Sequence, residues 1–230
     1  MPKHGKKYRA AAENIDADKK YPLEKAVALA KKTATTKFDA TMEIHIATSA
    51  DPRHADQIVR ASITLPHGTG KTKRIAAFCE GADAEAAKKA GADLVGGADL
   101  IEKILGGEID FDIAVATPAM MKNLAKAAKI LGPKGLMPSP KSGTVTPKIA
   151  EAIAEIKKGK MEFRTDKNGI IHSIFGKASF SEKNLVENAA ALLKAVVEAK
   201  PAGVKGNLIK SVFVTTTMGP SIAVDPQNFS

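Results

Sequence analysis

Tryptophan is absent from this 230-residue chain, and two tyrosines and eight phenylalanines are its whole aromatic complement. Proteins that read unstacked bases need aromatic platforms, so this scarcity argues against a stacking-type single-strand binder and leaves structured nucleic acid open. A single cysteine excludes an internal disulfide and a cysteine zinc cluster, and it suits a reducing compartment. No apolar run nears the roughly 18 residues needed to cross a bilayer. The basic segment Met1–Arg9 has no apolar stretch behind it, so no secretory signal and no membrane partner are expected, and the chain reads as cytoplasmic. What the chain does have is positive charge: 35 Lys and Arg against 25 Asp and Glu, a net +10. That balance favours a partner that carries phosphate. With 44% hydrophobic residues the chain can bury a substantial core, enough for one large domain or two small ones.

Hydrophobic periodicity divides the chain into three stretches. In the first, Lys6–Ile15 reads as a helix, and Pro22 opens another through Leu23, Val27 and Ala30. Proline is tolerated at the first helical position because its missing N–H had no partner there. Residues 40–47 alternate, with Met42, Ile44 and Ile46 on one face and Thr41, Glu43 and His45 on the other, which predicts a half-buried strand. Residues 58–65 read as its pairing partner. Beyond Gly68, short apolar strands at 74–79, 93–96 and 111–116 alternate with helical segments at 83–90, 100–105, 118–131 and 149–156. That grammar implies a small parallel sheet with covering helices.

After Gly159 strands return. Residues 161–164 and 170–175 flank Asp166-Lys167-Asn168-Gly169, a hairpin turn whose Asn and Gly both tolerate positive φ. A helix over 184–199 and strands at 211–217 and 222–224 complete the chain. The expected fold is α/β and α+β in two domains: a discontinuous α+β domain from residues 1–67 and 160–230, interrupted by an α/β domain at 68–159. Gly68, Gly70 and Gly159 mark the crossings and are the expected hinge. Residues 68–159 hold 14 basic and 11 acidic side chains, an excess of +3, and the rest hold 21 and 14, an excess of +7. The two-ended domain therefore carries the larger electrostatic footprint for nucleic acid.

No catalytic constellation assembles. Gly68-Thr69-Gly70-Lys71-Thr72 resembles the end of a nucleotide-binding loop, but five positions before Gly70 the motif needs Gly where this chain has Leu65. The first strand of the insertion is followed by Cys79-Glu80-Gly81, with one glycine instead of a dinucleotide fingerprint. His45, His54 and His67 match no ordinary zinc spacing, and His4 lies in the basic N-terminal segment. Cys79 sits mid-strand among apolar residues, as an inert buried thiol does. No enzyme, cofactor or metal is expected.

Two polar segments remain: Lys37–Glu43, and Thr215–Pro220 at a strand end. Spacing alone reads them as β-propensity and a turn. They belong, however, to an ordered series: Lys37-Phe38-Asp39, Asp51-Pro52-Arg53, Leu65-Pro66-His67-Gly68-Thr69-Gly70-Lys71, Leu131-Gly132-Pro133-Lys134-Gly135-Leu136-Met137-Pro138, Ser142-Gly143-Thr144-Val145, Gly176-Lys177-Ala178-Ser179-Phe180 and Thr217-Met218-Gly219-Pro220. Through these motifs essentially the whole chain resembles the bacterial large-subunit ribosomal protein one (L-one) family, the proteins of the mobile stalk beside the tRNA exit site.

The resemblance implies a discontinuous RNA-binding domain with an inserted three-layer Rossmann-like domain. It implies a structural constituent of the large subunit that binds its rRNA directly, acts in releasing exit-site tRNA, represses its own operon mRNA, and is a monomer off the ribosome. Carried over motif by motif, the RNA contacts would be Lys37, Phe38, Thr41 and Glu43, met by Thr217, Met218 and Gly219, with Ser211 at the start of that strand. Arg53, Arg164, Lys167 and His172 join them as neighbouring polar or basic positions. The sequence departs from the family pattern at Lys134, Ser139, Asn207-Leu208 and Ala47-Thr48-Ser49.

Overall fold

A computed structural model of the chain describes residues 5–16, 18–54 and 56–226, so His4 lies outside the described residues. The chain folds as two compact units, one made of Met1–Gly70 and Met161–Ser230 and the other of Lys71–Lys160. In chain order the first unit begins with α1 (Lys6–Ala12), α2 (Leu23–Lys32), β1 (Thr41–Thr48) and β2 (Arg60–Thr64). Pro22 stands one place earlier than expected, as the residue capping α2, with its carbonyl accepting from the Ala26 N–H at 2.9 Å.

The second unit comprises β3 (Ile75–Phe78), α3 (Ala82–Lys89), β4 (Leu94–Gly96), α4 (Ala98–Leu105), β5 (Ile113–Ala116), α5 (Met121–Leu124), α6 (Ala128–Leu131) and α7 (Ile149–Lys157). Its sheet has the order β4-β3-β5, with both pairs parallel. Successive residues of β3 feed opposite cores. Ile75 and Ala77 pack with Ala87 of α3 and Ile149 and Ile153 of α7, whereas Ala76 and Phe78 pack with Ile101 and Ile104 of α4 and with Leu124 and Leu131. The result is the three-layer α/β arrangement expected.

The helix expected to run on from Pro118 is broken. Met120 and Met121 bond back only three residues, to Thr117 and Pro118, and the turns α5 and α6 are joined by a 3-10 turn at Ala125–Ala127. The tighter winding aligns residues three apart, which lets Leu124 and Ala127 both face the sheet, fully buried.

The chain returns to the first unit through β6 (Lys160–Arg164), β7 (Ile170–Lys177), α8 (Glu182–Glu198), β8 (Ile209–Thr216) and β9 (Ile222–Val224). Four of its strands form an antiparallel sheet in the order β7-β1-β8-β9. Residues 58–65 do not pair with β1: β2 instead forms a two-stranded sheet with β6. Both edges of β1 are taken by eight-residue strands that match its length, while no residue of β2 is fully buried.

The turn Asp166–Gly169 forms, but β6 and β7 diverge after a single bridge, Thr165 to Ile171. Within the turn Gly169 takes positive φ (76°) and Asn168 does not, because the Asp166 carboxylate fixes the loop by accepting from the N–H groups of Asn168 and Ile170, both at 2.8 Å. Helices α2 and α8 cover one face of the four-stranded sheet. Val27 and Ala30 from α2 and Leu185, Leu192 and Val196 from α8 share its core with Met42, Ile44, Ile46, Val212 and Val214. Ser181 caps α8 by accepting from the Asn184 N–H at 3.2 Å.

Candidate nucleic-acid interface

Strand alternation puts a second set of side chains on the sheet face that the helices do not cover. Along β8 the buried series is Val212, Val214 and Thr216, so Ser211, Phe213 and Thr215 point the other way. Register then fixes the rows. Glu43 lies between Ile174 and Thr215, His45 between His172 and Phe213, and Ala47 between Ile170 and Ser211. This face presents hydroxyls, imidazoles, one carboxylate and an aromatic ring on a rigid frame. Such a surface suits shape-led recognition of folded RNA through backbone and 2′-hydroxyl groups.

At one end of that face two loops meet. Lys37 and Phe38 lie in the bend before β1. The chain there bends because the Thr36 hydroxyl donates to the Phe38 carbonyl at 3.0 Å. Opposite, Thr217 binds Thr41 twice through the backbone and its hydroxyl, with Thr41 N–H donating to Thr217 Oγ1 and Thr217 N–H donating to Thr41 O, both at 3.0 Å. Lys177 Nζ donates to Thr41 Oγ1 at 3.1 Å. The threonines therefore clasp the loops together, and the outward surface is left to Lys37, Phe38 and Met218.

Phe38 is 60% exposed and Met218 75%, values that no packing role within this unit explains. Met218 also holds φ at 65°, the sole non-glycine residue with positive φ among the described residues. Thr215 Oγ1 braces this loop against the carbonyls of Gly219 and Pro220 at 3.2 and 3.3 Å. A Cβ on Gly219 would stand 2.2 Å from Thr216 Oγ1, so glycine is required there.

Of the other candidates, Ser211 and His172 share this face, whereas Arg164 belongs to the two-stranded sheet of β2 and β6, and Arg53 and Lys167 lie in turns. Ser211 is the third residue of β8, not its first, and six positions from Thr217, about 20 Å along an extended strand. Lys167 is exposed in the Asp166–Gly169 turn, Arg164 is exposed at the end of β6, and exposed Arg53 follows Pro52, which abuts Gly169. His172 connects this corner to the centre of the face, with its Nε2 3.5 Å from Asp166 Oδ2 and its Nδ1 2.8 Å from His45 Nδ1. The Asp166 carboxyl is held below its ordinary range chiefly by the Ile170 N–H, with the Asn168 N–H and His172 assisting. The His45 ring is lowered by partial burial and by His172, while Glu43 acts in the opposite sense.

Sequence reasoning placed Lys37, Phe38, Thr41, Glu43, Thr217, Met218 and Gly219 in one neighbourhood, and the structure brings them together. It missed His45, Phe213, Thr215 and Lys177. The first three share the uncovered face by simple alternation, a signal present in the sequence. Phe213, 38% exposed, stands in the middle of that face.

The loop Gly68–Lys71 runs from β2 toward β3, strand to strand, and so lacks the helix N-terminus a nucleotide loop needs. Cys79 is buried, and burial pushes its thiol up, away from nucleophilic use.

Comparison with known proteins gives this interface its context. Residues 30–220 match the Ribosomal protein L1p/L10e family. The chain is similar to the large ribosomal subunit protein uL1 of Mycolicibacterium paratuberculosis, with 54% identity over 226 residues, 98% of this chain and 96% of that protein. It is equally similar to uL1 of Thermosipho melanesiensis, 54% identical over 227 residues and 98% of each chain. With uL1 of Mycobacterium marinum the identity is 53% over 226 residues. On this evidence the chain belongs to the ribosomal protein L1p/L10e family, whose members are structural and not enzymatic.

Proposed function

We propose that the chain is a structural constituent of the large subunit of the cytoplasmic ribosome and binds rRNA directly through the uncovered face of its four-stranded sheet. The observation that carries this reading is the loop pair at the end of that face. There Phe38 and Met218 stand exposed, and Met218 is held in a strained conformation by Thr215, Thr217 and Gly219.

A thioether and a ring of this kind can cover ribose faces and exclude water, which strengthens hydrogen bonds from neighbouring backbone groups to 2′-hydroxyls and phosphates. Glu43 accepts but cannot bind phosphate, so its role is a bond to a 2′-hydroxyl or a base amino group. Lys37, Arg53, Arg164 and Lys167 supply the salt-dependent part. Ser211 and His172 extend the contact along the sheet.

Membership of the family supports a finer role as well. The stalk position, the release of exit-site tRNA and repression of the chain's own operon mRNA would use this same face or the movement of the two units. For that movement the pivots are the crossings at Gly68, Gly70 and Gly159, all with positive φ. Gly68 is tied through its carbonyl to buried Asn188, so the first crossing turns after Gly68, at Gly70.

The test is affinity for the rRNA stalk fragment. Replacing Thr217 and Met218 together by Ala is expected to cost about 2–3 kcal/mol, roughly 30- to 160-fold in Kd, beyond any effect on the salt slope. Unchanged affinity in the double variant would sink the site assignment.

A further inference from the structure

His45 and His172 occupy directly opposed positions on β1 and β7 and meet nitrogen to nitrogen, Nδ1 to Nδ1, at 2.8 Å. Their ring centroids are 5.0 Å apart, close to that distance plus two ring radii, so the nitrogens face each other head-on. Head-on approach suits a shared proton; two ligands of one metal ion would converge at an angle instead. The remaining nitrogens each face a carboxylate. His45 Nε2 lies 3.9 Å from Glu43 Oε2, and His172 Nε2 lies 3.5 Å from Asp166 Oδ2. The four groups form a line: carboxylate, imidazole, imidazole, carboxylate.

Counting protons on that line decides its charge. With two protons the pair is neutral, and either a bare nitrogen faces a carboxylate or two bare nitrogens face each other. With four, two N–H groups collide at the centre. Three protons satisfy every contact: one N–H toward Glu43, one toward Asp166, and one between the rings. The pair is therefore built to hold one extra proton as a monocation, which reduces the net charge of the line from two negative charges to one.

Among the described residues, none of the outward strand positions beside the pair is charged except Glu43. The adjacent outward positions of β8 are Ser211, Phe213 and Thr215, and those of β7 beside His172 are Ile170 and Ile174. Without RNA, partial burial and mutual repulsion keep the His45 ring below the ordinary imidazole value.

We propose that His45 and His172 form a proton-sharing anchor of the RNA interface, which takes up one proton, and so sheds one unit of negative charge, when a phosphate backbone is laid on the sheet. This inference rests on the interface reading above. Phosphate raises the affinity of the pair for its proton, so by linkage RNA binds more tightly as pH falls toward the range where imidazole titrates.

The test is binding of the rRNA stalk fragment between pH 8 and pH 6, with proton uptake counted by calorimetry in buffers of different ionisation enthalpy. Uptake of up to one proton and an affinity about tenfold higher at pH 6 than at pH 8 are expected. His45→Gln and His172→Gln should each abolish the uptake and flatten the profile to within about twofold. His172→Lys, a fixed cation, should hold the tighter affinity up to pH 8. A profile that both Gln variants share with the unmodified chain overturns the anchor while leaving the interface standing. Failure of the unmodified chain to bind the fragment at any pH overturns both.

Discussion

Met218 concentrates the tension between stability and binding in one residue. An unbranched side chain at φ 65° costs on the order of 1 kcal/mol, and nothing within its own unit repays that cost, since the side chain stands in solvent. Met218→Gly relieves the backbone and gives back a similar amount as unfolded-chain entropy. The unfolding free energy should therefore stay within about 0.5 kcal/mol of its original value. Affinity for the rRNA fragment should nevertheless fall by more than tenfold, because the thioether is gone. Urea titration and filter binding on the same preparation check both halves, and equal RNA affinity would show that the strain serves something else. Spacing alone could not have found this residue: Thr217-Met218-Gly219 reads as an ordinary turn, and the motif resemblance singled it out. The hydroxyls of Thr41 and Thr217 have in addition a structural role that spacing does not show: they hold the loops and present their neighbours.

Among the elements, α8 does more than cover the sheet. Its buried Asn188 accepts from the His67 N–H at 3.0 Å and donates to the carbonyls of Gly68 and Phe175 at 3.0 and 2.9 Å, joining helix, strand β7 and the first crossing. Asn188→Leu keeps the volume but leaves those backbone groups unpaired. We expect a loss of about 2–4 kcal/mol in urea unfolding monitored on the first unit. Asn184→Leu, at a half-buried position in the first turn of α8 where no side-chain bond is lost, serves as the comparison and should cost far less. A loss no larger than the comparison's would mean that water replaces the amide. In sequence Asn188 interrupts an apolar stripe without announcing a partner, since its bonds span more than a hundred residues to the loop. The same limit explains the error over β2. Alternation told which side of β1 faces the core, because period two is local, but which strand lies beside it depends on length and register far away. The strands β3 and β5 were legible because continuous apolar runs bounded by turns have few other readings.

At the scale of the whole molecule, the division into two units was legible from the change of grammar near Gly68 and Gly159, since a run of alternating strands and helices differs from a strand meander at every position. The pairings that cross the insertion were not. β1 is an inner strand of its sheet, yet both of its neighbours, β7 and β8, begin after residue 169, at Ile170 and Ile209. That arrangement sets an order of events during synthesis. The second unit is contiguous, with every element of its two cores lying between Lys71 and Lys160, so it can fold as soon as Lys160 emerges. On chains arrested at that length, limited proteolysis should protect residues 71–160 and cut within residues 5–67, with protection of the latter appearing only once β8 is free. Early protection of β1 would refute that order. Until then Met42, Ile44 and Ile46 have no sheet to join, and the newborn chain must carry an unmatched apolar strand with both edges open for more than half of its own synthesis.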